Sequence, residues 1–84
     1  MPFTYILQSL KDKKFYIGST NDIKRRKEEH DLGKVKATRY RRPLKIIYTE
    51  EYTLLIDARR REFEIKRMKG GVKFKALIAG VVHW

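Results

Sequence analysis

The sequence predicts an α+β fold in which helices pack against one small antiparallel sheet. Two observations lead to this prediction. Three short segments have the aromatic, aliphatic and β-branched composition of strands, and three others begin or end at residues typical of helix caps. Their order along the chain is strand, strand, helix, strand, helix, helix, with no repeat or low-complexity run between them.

The first half of the chain predicts a hairpin followed by a helix. The two strands cover residues 3–9 and 14–18, and the turn between them covers residues 10–13. Asn21 is placed to cap the helix, and Asp22 in the first turn favours the helix dipole. We expect the helix to end near Leu32, because Gly33 is suited to the C-cap.

The second half predicts a third strand and two more helices. The strand covers residues 44–52, and the helices cover residues 53–68 or 53–69 and residues 72–78. Pro43 ends a basic loop over residues 34–42 and allows the strand to start there. Thr53 is expected to cap the longer helix, which Gly70–Gly71 stops.

The composition bounds the class of protein. The chain has 84 residues, so we expect a single domain over residues 1–84. Its 21 Lys and Arg against 10 Asp and Glu give a net charge of +11, which favours a nucleic acid over a membrane surface as partner. The absence of cysteine excludes a disulfide framework, a thiol nucleophile and a cysteine metal site.

The sequence also gives an expectation for the localisation of the protein and one for the role of its C-terminal tail. The N-terminus lacks the pattern of a secretion signal, and no apolar run is long enough to span a bilayer, so we expect a cytoplasmic protein. The apolar tail ending in His83 and Trp84 is expected either to cap the core or to contact a second copy, with a monomer favoured.

Two predicted helices carry polar residues where apolar ones are expected. The inward stripe of the longer helix consists of Leu54, Leu55, Ala58, Ile65 and Met68. Glu62 falls inside this stripe, where a carboxylate must be paired, protonated or bound to a metal. The plain alternative is an ion pair with Lys66. On the first helix Arg26 and His30 share a side with Ile23, and the plain alternative is a snorkelling arginine beside a surface histidine.

Two tyrosines and a glycine lie on the predicted hairpin. Tyr5 shares a face with Phe3 and Leu7, because side chains alternate along a strand. Tyr16 and Gly18 lie on that face if the hairpin loop has an even number of residues, whereas an odd loop places Tyr16 on the other side. Gly18 would let a ligand or a backbone approach the sheet closely. The alternative for the two tyrosines is that they serve packing alone, as a tyrosine in a sheet does in most cases.

These residues together resemble the motifs of the GIY-YIG nuclease domain family. Thr4-Tyr5-Ile6 and Tyr16-Ile17-Gly18 are similar to the two triplets that name the family. The match continues through Ile23-x-x-Arg26-x-x-x-His30 to Glu62, which stands where the family has an acidic residue. The resemblance covers residues 3–66, and the whole chain resembles the small single-domain bacterial members of the family.

The resemblance implies a three-stranded antiparallel sheet flanked by helices. The implied activity is metal-dependent, structure-specific cleavage of phosphodiester bonds in DNA, linked to repair or recombination. The implied catalytic residues are Tyr5, Tyr16, Arg26, His30 and Glu62. Glu62 would hold Mg²⁺ or another divalent cation such as Mn²⁺, and Arg26 would clamp the phosphate. Tyr16 is expected to be the general base. Tyr5 would then orient or share the proton, and His30 would hydrogen-bond a tyrosine or the phosphate.

The basic residues are expected to contact nucleic acid, with DNA as the partner and RNA as the alternative. The candidates are Gly18 and Ser19 together with the basic residues Lys34, Lys36, Arg39, Arg41, Arg42, Arg59, Arg60 and Arg67. Phosphate contacts of this kind give affinity without sequence choice, and the affinity falls as salt is added. Thr4 replaces a glycine of the family motif, and Ser19 replaces a lysine of the family's repair nuclease.

Two other classes of protein stay open beside the nuclease. One is a nucleic-acid-binding module without turnover, and the other is a small interaction protein. Glu62 favours the nuclease, because a carboxylate repels phosphate unless a cation lies between them.

Overall fold

The computed structural model describes residues 1–82, and its elements follow the predicted order. They are β1 (Phe3–Ser9), β2 (Phe15–Thr20), α1 (Ile23–Asp31), β3 (Leu44–Glu51), α2 (Leu55–Met68) and α3 (Val72–Val82). A 3₁₀ turn, Arg39–Arg41, lies within the predicted basic loop. Among residues 1–82 no helix has both the length and the apolar character needed to cross a bilayer. The expectations for the tail at His83 and Trp84 fall outside the described residues.

The central strand of the sheet is β1, in the antiparallel order β2-β1-β3. Tyr5 pairs with Gly18 and Leu7 pairs with Tyr16, so the two tyrosines lie on one face. The even-numbered hairpin loop is therefore the alternative that the structure confirms. On the other side of β1 the pairing with β3 shifts between Ile6 and Leu7, which is an irregularity of the β-bulge kind.

The sheet separates two apolar clusters, because its side chains alternate between faces. On one face the buried residues are Ile6 and Ile17 with Ile65 of α2 and Phe74 of α3. On the other face they are Tyr5, Leu7 and Leu44, against which Tyr16 and Ile23 of α1 pack. Hence α1 and α2 cover opposite faces of the sheet and do not lie side by side over one face.

The predicted cap of the first helix is wrong by one residue. Asp22 takes the place expected of Asn21, and its side chain accepts a hydrogen bond of 3.0 Å from the backbone N–H of Arg25. The hydroxyl of Thr20 accepts a hydrogen bond of 3.1 Å from the backbone N–H of Asp22. This contact holds the turn that leaves Asp22 as the last residue before the helix.

The start of the longer helix also differs from the prediction. Its N-cap is Leu54, not Thr53, because the carbonyl of Leu54 accepts the first helical hydrogen bonds, from Asp57 and Ala58. Leu54 is 57% exposed, so its assignment to the inward stripe is wrong, whereas Ala58 and Ile65 are buried as expected. The helix therefore begins one residue after Thr53, at a residue whose side chain makes no capping hydrogen bond.

Glu50 on β3 ties the sheet to α2. Its carboxylate accepts hydrogen bonds from the hydroxyls of Tyr48 and Tyr52, and from Nε and Nη2 of Arg61 at 2.9 and 3.1 Å. Burial alone would raise the pKa of Glu50, but the hydrogen bonds from Arg61 and the two tyrosines hold this pKa below its usual value. The stabilisation that these hydrogen bonds give the fold is therefore present at a pH above the ordinary pKa of a glutamate. It is lost as the pH falls through the lowered pKa of Glu50.

We expect Glu50→Gln to lower the free energy of unfolding at pH 7 by about 1.5–3 kcal/mol, the range for hydrogen bonds to a charged group. The difference from wild type should shrink as the pH is lowered from 6 to 2, because Glu50 itself then becomes protonated. Urea unfolding across this range measures it. The matched control is Glu64→Gln, whose carboxylate contacts the same Arg61 at 3.3 Å but is 51% exposed. A difference in the free energy of unfolding between wild type and Glu50→Gln that persists unchanged at pH 2 would contradict the role given to the Glu50 carboxylate.

Candidate active site

The hydroxyl of Tyr5 lies at the centre of a polar cluster between the sheet and α1. Tyr5 is 1% exposed, and its oxygen is 3.0 Å from Nε2 of His30 and accepts a hydrogen bond of 3.4 Å from Nε of Arg26. Arg26 and His30 are four residues apart, so one face of α1 delivers both. Burial raises the pKa of Tyr5 to about 12, although the hydrogen bond from Arg26 opposes the rise. Tyr5 is therefore a neutral phenol at pH 7.

His30 is completely buried, which excludes the alternative of a surface histidine. Its Nδ1 lies 2.8 Å from Oγ1 of Thr38, so both ring nitrogens have partners. Burial, followed by the charge of Arg26, lowers the pKa of His30 to about 4. The imidazole is therefore neutral at pH 7. Thr38 was not among the predicted site residues, because it lies inside a run of cations and nothing in that run indicates burial.

Arg26 connects the buried cluster to the surface. Its side chain is 32% exposed, and its Nη1 donates a hydrogen bond of 3.0 Å to the carboxylate of Glu29. The hydrogen bond with Tyr5 raises the pKa of Arg26 further above its already high value, so the guanidinium stays charged. Glu29 was missed from the sequence, although its spacing of three residues from Arg26 would have indicated the contact.

Tyr16 and Gly18 complete the cluster on this face. The half-buried ring of Tyr16 stands edge-on to His30, with ring centroids 5.1 Å apart. A Cβ atom at Gly18 would lie 2.5 Å from the hydroxyl oxygen of Tyr5 and 3.1 Å from Cε2 of Tyr16. The close approach expected at Gly18 is thus made by the Tyr5 side chain, and any larger residue would displace it.

Glu62 comes to the edge of the sheet from the opposite face. Its Oε1 accepts a hydrogen bond of 2.5 Å from the hydroxyl of Ser19, and its Oε2 lies 2.7 Å from Nζ of Lys66. The ion pair with Lys66 that the spacing suggested is therefore present, yet the Glu62 side chain is still 20% exposed. The charge of Glu62 adds to the causes that raise the pKa of Tyr5, so the carboxylate lies within electrostatic reach of the cluster.

A groove of about 220 Å³ opens where α1, the end of β2 and the start of α2 meet. Its walls include Arg26 and Glu29 from α1, Ser19 from β2, and Arg59 from α2. The groove thus joins Arg26, which contacts Tyr5, to Ser19, which contacts Glu62. The groove lies at the free edge of β2 and not over one face of the sheet.

The donor set fits a magnesium ion held by few protein ligands. In the part of the chain that the structure describes, no three His, Asp or Glu side chains come together to hold a metal. Mg²⁺ does not need such a cage, because it is bound by one or two carboxylates together with waters and phosphate oxygens. Glu62, with the hydroxyl of Ser19 beside it, offers oxygen donors of this kind at a partly exposed position.

The other basic candidates fall into two groups. Lys34, Lys36, Arg59, Arg60 and Arg67 are exposed. The arginines of the 34–42 loop also hold the loop in place: Arg39 donates to the carbonyl of Gly33 and Arg42 to that of Asp31, at 2.9 and 3.2 Å. Arg41 is half-buried, with Nε 3.4 Å from the carboxylate of Asp12. These three arginines therefore contribute positive charge to the basic surface and also stabilise the conformation of the loop.

Comparison with known proteins gives one consistent family. The family described as the GIY-YIG catalytic domain matches residues 1–75. A UPF0213 protein of Staphylococcus epidermidis is 37% identical over 79 residues, which are 93% of this chain and 95% of the relative. A UPF0213 protein of Natronomonas pharaonis is 38% identical over 72 residues, which are 84% of each chain. The solution NMR structure of a UPF0213 protein from Bacillus halodurans, 32% identical, aligns over 90% of this chain and 94% of that one with a TM-score of 0.48. The family match over residues 1–75 shows that the chain belongs to the GIY-YIG catalytic domain family, a family of nucleases.

Proposed function

We propose that this protein is a metal-dependent endonuclease that hydrolyses phosphodiester bonds in DNA, and that residues 1–84 form one nuclease domain. The observation that carries the proposal is the position of Glu62, a partly exposed carboxylate that accepts a hydrogen bond from Ser19, which lines a groove also walled by Arg26 and Arg59. In a protein of net charge +11, a carboxylate placed there opposes the binding of phosphate unless a cation lies between them.

In this proposal each side chain of the cluster has one role. Glu62 and the hydroxyl of Ser19 hold the divalent cation, which when bound polarises the phosphate and stabilises the leaving oxygen. Arg26 clamps the phosphate, since its guanidinium is oriented by Glu29 and Tyr5 while part of it faces solvent. As the water oxygen bonds to phosphorus and the bond to the leaving oxygen breaks, the proton of the water passes to the oxygen of Tyr16 while the phenol proton of Tyr16 passes to solvent. A solvent water then protonates the leaving oxygen.

The choice of Tyr16 over Tyr5 as the base rests on access. Tyr16 is half-buried, whereas Tyr5 is buried and its hydroxyl already has His30 and Arg26 as partners. Tyr5 therefore orients the reacting groups through its contact with Arg26, and His30 holds the hydroxyl of Tyr5 in place. The exposed cations would bind the flanking phosphates, and they are Lys34, Lys36, Arg39, Arg42, Arg59, Arg60 and Arg67.

One observation favours a second candidate function, a nucleic-acid-binding module without turnover. The ion pair with Lys66 satisfies Glu62 in the absence of any metal. If this pair were permanent, the carboxylate would need no cation and the groove would serve binding alone.

We expect Glu62→Ala to abolish divalent-dependent cleavage while DNA affinity stays the same or rises, because a charge that repels phosphate is removed. Cleavage is measured on duplex, nicked, branched and single-stranded DNA with and without Mg²⁺, and affinity by fluorescence anisotropy in EDTA. The matched control is Glu64→Ala, an exposed carboxylate on the same helix. Equal cleavage by wild type and Glu62→Ala would overturn the site, and no cleavage by wild type with any divalent metal would favour the binding module.

Replacement of Lys66 tests whether the ion pair competes with the cation. Lys66→Met frees Oε2 of Glu62, so the Mg²⁺ concentration for half-maximal cleavage should fall about two- to fivefold, given that such pairs are worth up to about 1 kcal/mol. The control is Lys73→Met, an exposed lysine on α3. A higher Mg²⁺ requirement in Lys66→Met would show instead that Lys66 assists the binding of phosphate or metal.

A further inference from the structure

Thr38 is the least expected member of the polar cluster. It is fully buried, although it lies in the basic loop between Ala37 and Arg39, and its hydroxyl is 2.8 Å from Nδ1 of His30. The backbone N–H of Thr38 donates to the carbonyl of Val35 at 3.2 Å, and its hydroxyl lies 3.5 Å from the same carbonyl oxygen. The loop thus folds back to place one hydroxyl against the imidazole.

The polar contacts form a chain whose two ends have a fixed direction. At one end Nε of Arg26 can only donate, and at the other the carbonyl of Val35 can only accept. Between them lie the hydroxyl of Tyr5, the imidazole of His30 and the hydroxyl of Thr38. A neutral imidazole has one donor nitrogen and one acceptor nitrogen. Every proton finds an acceptor if Tyr5 donates to Nε2 of His30, Nδ1 donates to Thr38, and Thr38 donates to Val35.

We propose that Thr38 is a positioning residue that holds His30 in the tautomer with the proton on Nδ1, so that Nε2 accepts the proton of Tyr5. The oxygen of Tyr5 then keeps its lone pairs for Arg26 and for the reacting groups. In the opposite tautomer Nε2 would donate to Tyr5, and the Tyr5 proton would have to point towards the site. Thr38 therefore decides whether the hydroxyl proton of Tyr5 points to His30 or away from it.

The consequence for cleavage rests on the proposed nuclease function, whereas the tautomer itself does not. Tyr5 orients the groups around Arg26, so a change in the direction of its hydroxyl misplaces them. Misplacement of this kind costs about 10- to 100-fold in rate. The loop that carries Thr38 also carries Lys34, Lys36 and Arg39, so the segment proposed to contact DNA is the one that holds the buried histidine.

The experiment uses long-range ¹H–¹⁵N correlation spectra of the imidazoles at pH 7, which report which nitrogen carries the proton. A His83→Gln background leaves His30 as the only imidazole of the chain. Thr38→Val removes the hydroxyl at nearly constant shape, Thr38→Ser keeps it, and Thr38→Ala replaces Thr38→Val if that variant does not fold. Cleavage rates are measured for the same proteins without the His83 substitution.

We expect the proton on Nδ1 in the background protein and in Thr38→Ser, and a shift towards Nε2 in Thr38→Val or Thr38→Ala. Cleavage should fall about 10- to 100-fold in the variants that lack the hydroxyl and recover in Thr38→Ser. A proton on Nε2 in the background protein, or an unchanged tautomer without the hydroxyl, overturns the proposal. A tautomer that shifts as expected in a protein that cleaves no nucleic acid supports the role of Thr38 and overturns the nuclease function instead.

Discussion

The hydroxyl of Tyr5 has to find partners inside the protein, and much of the site follows from that requirement. A buried hydroxyl without a partner costs several kcal/mol, so α1 turns Arg26 and His30 towards the sheet where apolar residues would otherwise pack. The second nitrogen of His30 then needs a partner of its own, which Thr38 supplies at 2.8 Å. The space for the Tyr5 hydroxyl exists because the residue opposite it on β2 is Gly18.

The edge of the sheet explains how two helices on opposite faces share one groove. An edge strand has a partner on one side only, so side chains from both faces can meet around it. At β2 this brings Arg26 from α1 and Arg59 from α2 to the same groove, with Ser19 between them. The cost of a polar inner face on α1 is offset elsewhere, by the apolar cluster around Ile65 and Phe74 and by the hydrogen bonds of Glu50.

The elements could be predicted from the sequence because each carries its own local pattern, but contacts set by packing could not. The inward position of Glu62 followed from helical spacing, and so did its ion pair with Lys66. Its other partner, Ser19, became visible only once the register placed β2 beside α2. The caps at Asn21 and Thr53 were wrong for different reasons. Asp22 has capping chemistry as good as that of Asn21, whereas Leu54 takes the N-cap of α2 without any side-chain hydrogen bond. Thr38 has no local signal, since its burial comes from the fold of the loop.

The central claim is that Glu62 and Arg26, from opposite sides of the sheet, meet a cation and a phosphate in one groove. Paramagnetic broadening of backbone amide signals by Mn²⁺, in the presence of a short DNA oligonucleotide, tests it most directly. The account predicts broadening centred on Ser19, Arg26 and Glu62 that disappears when Glu62 is replaced by alanine. Broadening centred elsewhere on the molecule, or unchanged by that replacement, would contradict it.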